Sequence, residues 1–355
     1  MNKPLQRTQL NTLLTVSLLS PLIRQMPTAV VRSAGAGAWL SALPAVPVLL
    51  ALGWMNCDLL RGRDLFTALE QSFGRRLGRV FVWLITGWLL FYLGFVLRSG
   101  ADRFVTTVYP EHSVWVFVAV LSAMALIIQT GTLRQLGRMG QAVEPFLLFF
   151  FLVLPFLVLP QVEWAQVRPE KGDLPGLLRG IFPIADTLCV AVYGGFLEDR
   201  TEGECSLSSL LRPLLALTAL TALLCLSTVG VFGVSLTEEL YYPFFVLLRN
   251  VQLTGFLERV EAALVAQWAA VDLILCSLLL WICQRNLSRL GFFPERKGIR
   301  LGLCLLLALS AALLCAGSSY ALLQLTERVV PPVNAALVFV LVPLCWGVGK
   351  VKSRG

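Results

Sequence analysis

The sequence predicts an all-α polytopic membrane protein: ten transmembrane helices in a five-plus-five inverted-topology repeat, with helices 1 and 6 broken. Three observations carry this expectation. The 355 residues are 57% hydrophobic and only 14% charged, with a mean hydropathy of +0.77. A soluble domain is about 45–50% apolar and about 25% charged. The apolar residues gather into runs near the roughly 20 residues that a helix needs to cross the hydrocarbon core. The order of those runs then repeats. So little charge cannot cover a water-soluble globule, and the composition also excludes a disordered chain, a collagen and a disulfide scaffold.

The ten expected spans are 10–31, 36–57, 79–106, 113–130, 140–160, 177–197, 209–235, 258–285, 300–320 and 328–348. They form a single transmembrane domain over 1–355, with repeat 1 at about 10–160 and repeat 2 at about 177–348. The first run is long and continues past two prolines, so it is not expected to be a cleaved signal peptide. With the N-terminus inside, the inner segments hold 19 Lys and Arg and the outer side with its helix ends nine, Arg24 being left within span 1. That bias predicts that both termini are cytoplasmic. The net charge of +8 is thereby a topology signal, and no nucleic-acid partner is expected.

Spans 1 and 6 start 167 residues apart. Each is followed by a long span and then a short amphipathic segment, 64–74 in the first half and 239–250 in the second. An odd number of helices per half turns the second half upside down, a layout that many secondary transporters use.

Broken helices at matching places are the strongest pointer to a binding site. Span 1 reads LLSPLIRQMPTAVV across 18–31, where Pro21 and Pro27 each remove a backbone donor. Span 6 reads GIFPIADTLCVAVYGGFL across 180–197, interrupted at Pro183, Asp186 and Gly194-Gly195. Backbone groups freed in this way are tolerated only where they line a cavity or a ligand. The candidate ligand-binding residues are Ser20, Ile23, Arg24, Gln25, Asp186, Thr187, Cys189 and Trp268. Arg24 can hold a carboxylate through a bidentate pair; the alternative is a structural Arg24–Asp186 ion pair.

Ionisable residues inside spans are costly and default to functional roles. Asp186, Glu261 and Asp272 are the candidates for proton or ion coupling. Glu261, Val265, Trp268 and Asp272 form one stripe of span 8, and Asp272 needs a partner if it is structural. Arg98 and Asp102 are read as a local ion pair, and Glu144 as a structural residue near the start of span 5.

The one His and nine Cys form no metal-ligand spacing, so no metal and no cofactor is expected. The cysteines are read as small buried hydrophobes. No HExxH, GxSxG or GxxxxGK[ST] pattern occurs, and an enzyme is not expected.

Several strings, in this order, are similar to the B-subunit family of spore germinant receptors, within the amino acid–polyamine–organocation transporter superfamily. They are MPTAVVRSAGAGAWLSALPAV (26–46), LFTALEQSFGRRLGRV (65–80), LRSGADRF (97–104), VYPEHSVWVFV (108–118) and the stretch 231–268 with its GFLERVEA run (255–262). The resemblance implies a ten-helix inverted repeat in the spore inner membrane that senses a nutrient, typically an amino acid. It implies two partners, a larger membrane A subunit and a C-subunit lipoprotein. By analogy the ligand sits at the unwound middles of spans 1 and 6, with spans 3 and 8 closing the pocket. Where the superfamily usually has glycines before the proline of span 1, Ser20 and Leu22 stand here, so Arg24 is expected to replace a backbone contact with a charge contact. The alternatives are a stand-alone proton- or sodium-coupled amino acid transporter, and a scaffold without ligand.

Overall fold

The computed structural model describes residues 4–24, 26–169, 173–250, 257–291 and 296–354. Eight of its helical runs are long and apolar enough to cross a membrane: 26–60, 75–107, 133–161, 174–200, 207–239, 266–290, 297–314 and 319–352. A shorter apolar helix, α6 (Val114–Gln129), stands beside them.

The chain enters through a two-residue strand, Leu5–Gln6, paired in parallel with Thr201–Glu202. It continues as α1 (Arg7–Arg24). This helix carries Thr8, Thr12, Thr15, Ser17 and Ser20 beside Gln9 and Asn11, side chains ill-suited to lipid. It lies inside the bundle instead, with most of its side chains buried. Thr15 Oγ1 donates within the helix to the Asn11 carbonyl at 2.9 Å, whereas Thr12 and Ser20 reach carboxylates on other helices. Residue 25, where an interruption is expected, lies outside the described residues; helix is described up to Arg24 and again as α2 (Met26–Ala34). Pro27 cannot donate to the carbonyl four residues before it.

A 3-10 turn (Gly35–Ser41) leads into α3 (Ala42–Leu60). The first amphipathic segment is α4 (Leu65–Phe73), whose N-cap Asp64 accepts from the Thr67 amide at 3.2 Å. The long α5 (Arg75–Thr107) follows. A Cβ built at Gly94 of α5 would lie 2.0 Å from the Ala308 carbonyl oxygen. Only glycine permits that backbone approach, the usual means of helix association in lipid.

α7 (Leu133–Val158) starts earlier than the sequence pattern suggests. Thr132 and Gln135 form a capping box, with the Gln135 amide 3.2 Å from Thr132 Oγ1. Glu144 is therefore mid-helix and accepts from Thr12 Oγ1 at 2.7 Å, a correction to its expected place at the helix start.

The second half opens with α8 (Leu174–Arg179) and α9 (Ile181–Cys189). The winding then tightens into a 3-10 segment, Val190–Arg200. α10 (Leu207–Glu239), the second amphipathic helix α11 (Pro243–Asn250) and the long α12 (Leu257–Leu290) follow. α13 (Lys297–Cys315) precedes an irregular final run of α14 (Ser319–Gln324), α15 (Val330–Ala335) and α16 (Leu341–Arg354). Wide π turns join these three pieces, next to Pro331-Pro332, which remove two donors from the ladder.

Six cysteines (Cys189, Cys225, Cys276, Cys283, Cys304 and Cys345) are buried and free, as expected. Cys57 departs from that reading. It forms a disulfide with Cys205, 148 residues away, because folding brings the end of α3 against the loop before α10.

Candidate functional site: a cavity between α1, α2 and α9

A cavity of about 330 Å³ opens between the Arg24 end of α1, α2, and α9 with the start of its 3-10 continuation. Its floor holds Pro21 and Arg24 of α1, Tyr92 of α5, and Pro183, Asp186 and Thr187 of α9. Its mouth holds Arg32 and Glu327. The floor is buried, Arg24 being 6% and Asp186 5% exposed.

The two charged side chains of the floor do not pair with each other. Arg24 Nη1 donates to Ser99 Oγ of α5, and the guanidinium lies 4.9 Å from the centroid of the Phe95 ring. Its Nε meets no acceptor, and Asp186 Oδ1 meets no donor, among the described residues. A guanidinium and a carboxyl thus line one buried space, each with an enclosed atom that meets no partner among the described residues. Neutral polar groups complete the wall. Thr28 Oγ1 donates to the Leu240 carbonyl at 2.9 Å. Asn334 Oδ1 accepts from Trp88 Nε1 at 2.9 Å and from the Tyr193 hydroxyl at 3.4 Å.

At the mouth, Arg32 and Glu327 form an ion pair between half-exposed side chains. Arg32 also donates to the Glu238 carbonyl from Nη2 at 2.7 Å and from Nε at 3.0 Å. The opposite end of the bundle is bolted by ion pairs. Arg7 Nη1 meets Glu198 Oε2 at 2.8 Å, Arg289 meets Asp64, and Arg285 lies between Asp199 and Asp64, the latter at 3.5 Å.

Beside the cavity, Asp272 of α12 accepts from Ser20 Oγ of α1 and from Arg103 Nη2 of α5. The Arg103 guanidinium stands 5.3 Å from the Trp268 ring. A Cβ on Gly100 would come within 2.7 Å of Asp272 Oδ2, so glycine leaves room for the carboxylate. One turn nearer the start of α5, Arg98 Nη1 donates to Asp102 at 2.9 Å and Arg98 Nε to the Ala316 carbonyl at 2.9 Å. Ser319 Oγ closes this set on Asp102 at 2.6 Å.

Of the residues singled out in the sequence, Arg24, Asp186 and Thr187 share the cavity. Ser20, Ile23, Cys189 and Trp268 lie outside its walls. Ser20 is turned to Asp272, and Ile23 is packed in the apolar core. Cys189 donates to the Asp186 carbonyl at 3.0 Å. Trp268 packs on Phe245, ring centroids 5.4 Å apart. Gln25 and the Glu261 side chain lie outside the described residues. The sequence placed Arg103 at an outer helix end, but the structure makes it one of the largest fully buried side chains. Its position inside a span was the available signal. Tyr92, Ser99 and Asn334 carried none, because aromatic, hydroxyl and amide side chains are ordinary in such helices.

This architecture defines the class: a polytopic membrane protein with the fold of secondary transporters. A variant of the Eremococcus coleocola manganese transporter superposes with a TM-score of 0.68 at 13% identity, over 99% of this chain and 89% of that one. MhsT in complex with L-phenylalanine superposes at 0.67 with 13% identity, over 98% and 89%. The nucleobase-cation-symport-1 transporter Mhp1, closed with bromovinylhydantoin bound, superposes at 0.61 with 14% identity, over 97% and 77%. Within that class, the spore germination protein family matches residues 5–316, and the chain belongs to it. The putative spore germination protein YfkT of Bacillus subtilis is 25% identical over 277 residues, 75% of this chain and 74% of that protein. The chain is thus an integral membrane protein of the spore germination family.

Proposed function

We propose that the chain is the nutrient-recognising B subunit of a spore germinant receptor, holding an amino acid in the cavity between Arg24 and Asp186. The observation that carries this reading is that the Arg24 guanidinium and the Asp186 carboxyl line one buried space without pairing with each other, each keeping an atom with no partner among the described residues. A zwitterion pairs with both. Its carboxylate accepts from the guanidinium in a charge-assisted contact, and its ammonium donates to Asp186. Binding then gives each of two buried charged groups a counter-charge, which is where buried hydrogen bonds gain most.

In this reading the α1–α2 run, α3, α5, α6 and α7 are the first five transmembrane helices. The α8–α9 run, α10, α12, α13 and the α14–α16 run are the inverted second five. The placement of α4 and α11 before the long α5 and α12 supports that correspondence. Both termini then lie in the cytoplasm, the cavity mouth at Arg32 faces outward, and the membrane is the spore inner membrane. The subunit binds and signals and is not an enzyme; it passes its state to a larger A subunit and a C-subunit lipoprotein. A ligand shifts such a complex only by its different affinity for two arrangements of the bundle.

A second reading, a stand-alone proton- or sodium-coupled amino acid transporter, is favoured by the unpaired Asp186. Asp272, another of the three coupling candidates, is already engaged by Arg103, which weighs against it. Purified protein in proteoliposomes, offered labelled amino acids, separates the readings. The receptor reading expects saturable binding near one ligand per protein with no accumulation. Accumulation that scales with internal volume overturns it in favour of the transporter. Absence of both from folded protein leaves a scaffold.

A further inference from the structure

The charged side chains around the cavity do not balance. Two guanidiniums, Arg24 and Arg32, stand against three carboxylates, Asp186, Glu239 and Glu327. Arg32 and Glu327 neutralise each other, and the other donors of Arg32, Nη2 and Nε, are spent on the Glu238 carbonyl. At the floor, Arg24 and Asp186 are more than nine-tenths buried. The Asp186 carboxyl has no hydrogen bond or ion pair among the described residues. That leaves Glu239. It is exposed, it meets no cation among the described residues, and it ends α10 in a turn without a basic side chain. The end of a helix is where a cation is favoured.

This extra carboxylate lies away from the floor. Thr28, Ala29, Arg32 and Ser33 turn one face of α2 to the cavity. From Met26, which also lines it, to Arg32 the helix rises about 9 Å. Arg32 touches the Glu238 carbonyl at 2.7 Å, so Glu239 stands at the level of Arg32. Much of the remaining wall is apolar, at Phe182, Leu240, Leu323 and Val330. The hydroxyls of Ser33, Thr187 and Thr326 already donate to carbonyls of the preceding turn. A long apolar stem with a charge at its tip, as in lysine and arginine, fits such a wall.

We propose, resting on the amino acid reading of this cavity, that it takes an amino acid with a cationic side chain of lysine or arginine length. The side-chain cation meets Glu239, while the backbone carboxylate and ammonium meet Arg24 and Asp186. Each charge of the ligand then faces an opposite one. A neutral side chain leaves Glu239 to water, and an acidic one sets two like charges together.

The test is equilibrium binding of labelled L-arginine and, separately, labelled L-leucine to the full chain in lipid nanodiscs. Unlabelled L-arginine, L-citrulline and L-glutamate compete. Citrulline has the shape of arginine without its charge. At low salt arginine should compete about fivefold better than citrulline, the upper span of an exposed ion pair, and glutamate should be weaker than either. The gap should narrow in about 1 M salt, where the Debye length is about 3 Å. Glu239→Gln should bring arginine down to the level of citrulline, and Glu239→Lys should place it below. The arginine-to-citrulline ratio of the unaltered chain decides the matter if the variants fail to fold. Equal competition by citrulline and arginine, or leucine bound where arginine is not, overturns this inference and leaves the amino acid reading standing. Failure of both labels to bind folded protein overturns that reading, and the inference with it.

Discussion

Arg24 brings a full charge to the middle of an apolar bundle, its Nε has no partner among the described residues, and it lines the same cavity as Asp186. Hydrogen bonds to charged groups contribute about 1.5–3 kcal/mol. Arg24→Ala should therefore weaken amino acid binding about tenfold to a hundredfold, read by equilibrium binding to purified protein. Arg24→Lys should not restore it, since an ammonium lacks the planar fork. Asp272 behaves differently, because its charge is spent on Arg103 and Ser20. Asp272→Asn leaves a buried guanidinium without its anion and should cost about 3–5 kcal/mol. The double variant Arg103→Leu with Asp272→Leu should recover most of that in thermal unfolding. Arg24 and Asp186 were legible in the sequence because an ionisable residue beside a proline break stands out locally. The Arg103–Asp272 pair was not, because its partners are 169 residues apart and only the packing of α5 on α12 joins them.

Among the elements, the prolines mark the span 1 and span 6 regions but not where winding changes: Pro21 stands inside α1, and α9 runs past Pro183 before tightening at Val190. Helix starts were less legible still. α7 begins at a capping box whose Thr and Gln look like ordinary loop residues until the following turn is known to be helical. α1 was legible as part of the first span despite its hydroxyls, and its place inside the bundle accounts for them. The contact of α5 with α13 turns on one missing side chain. Gly94→Val would drive a branched carbon against the Ala308 carbonyl, and overpacking of this kind costs about 1–3 kcal/mol. Gly87→Val, on the same helix with nothing within 4 Å of its Cβ, should cost no packing. The difference between the two melting temperatures in detergent measures the close approach.

At the scale of the whole molecule, the cavity is reached from the Arg32–Glu327 end, and the far end is held shut by the ion pairs of Arg7, Arg285 and Arg289. Any rearrangement that exposes the ligand to the far side must part those pairs, which are screened by salt where they reach water. The far end also carries the Cys57–Cys205 bond. The six free cysteines described are buried, whereas Cys205 is half-exposed. Reduced protein in a Cys315→Ser background thus has one accessible thiol, anchored at a known end of the bundle. In sealed vesicles of defined orientation, a membrane-impermeant maleimide should modify it only from the cytoplasmic face. Modification from the opposite face would turn the whole topology over. A tether between two helices thereby becomes an address label for the compartment that each end of the protein occupies.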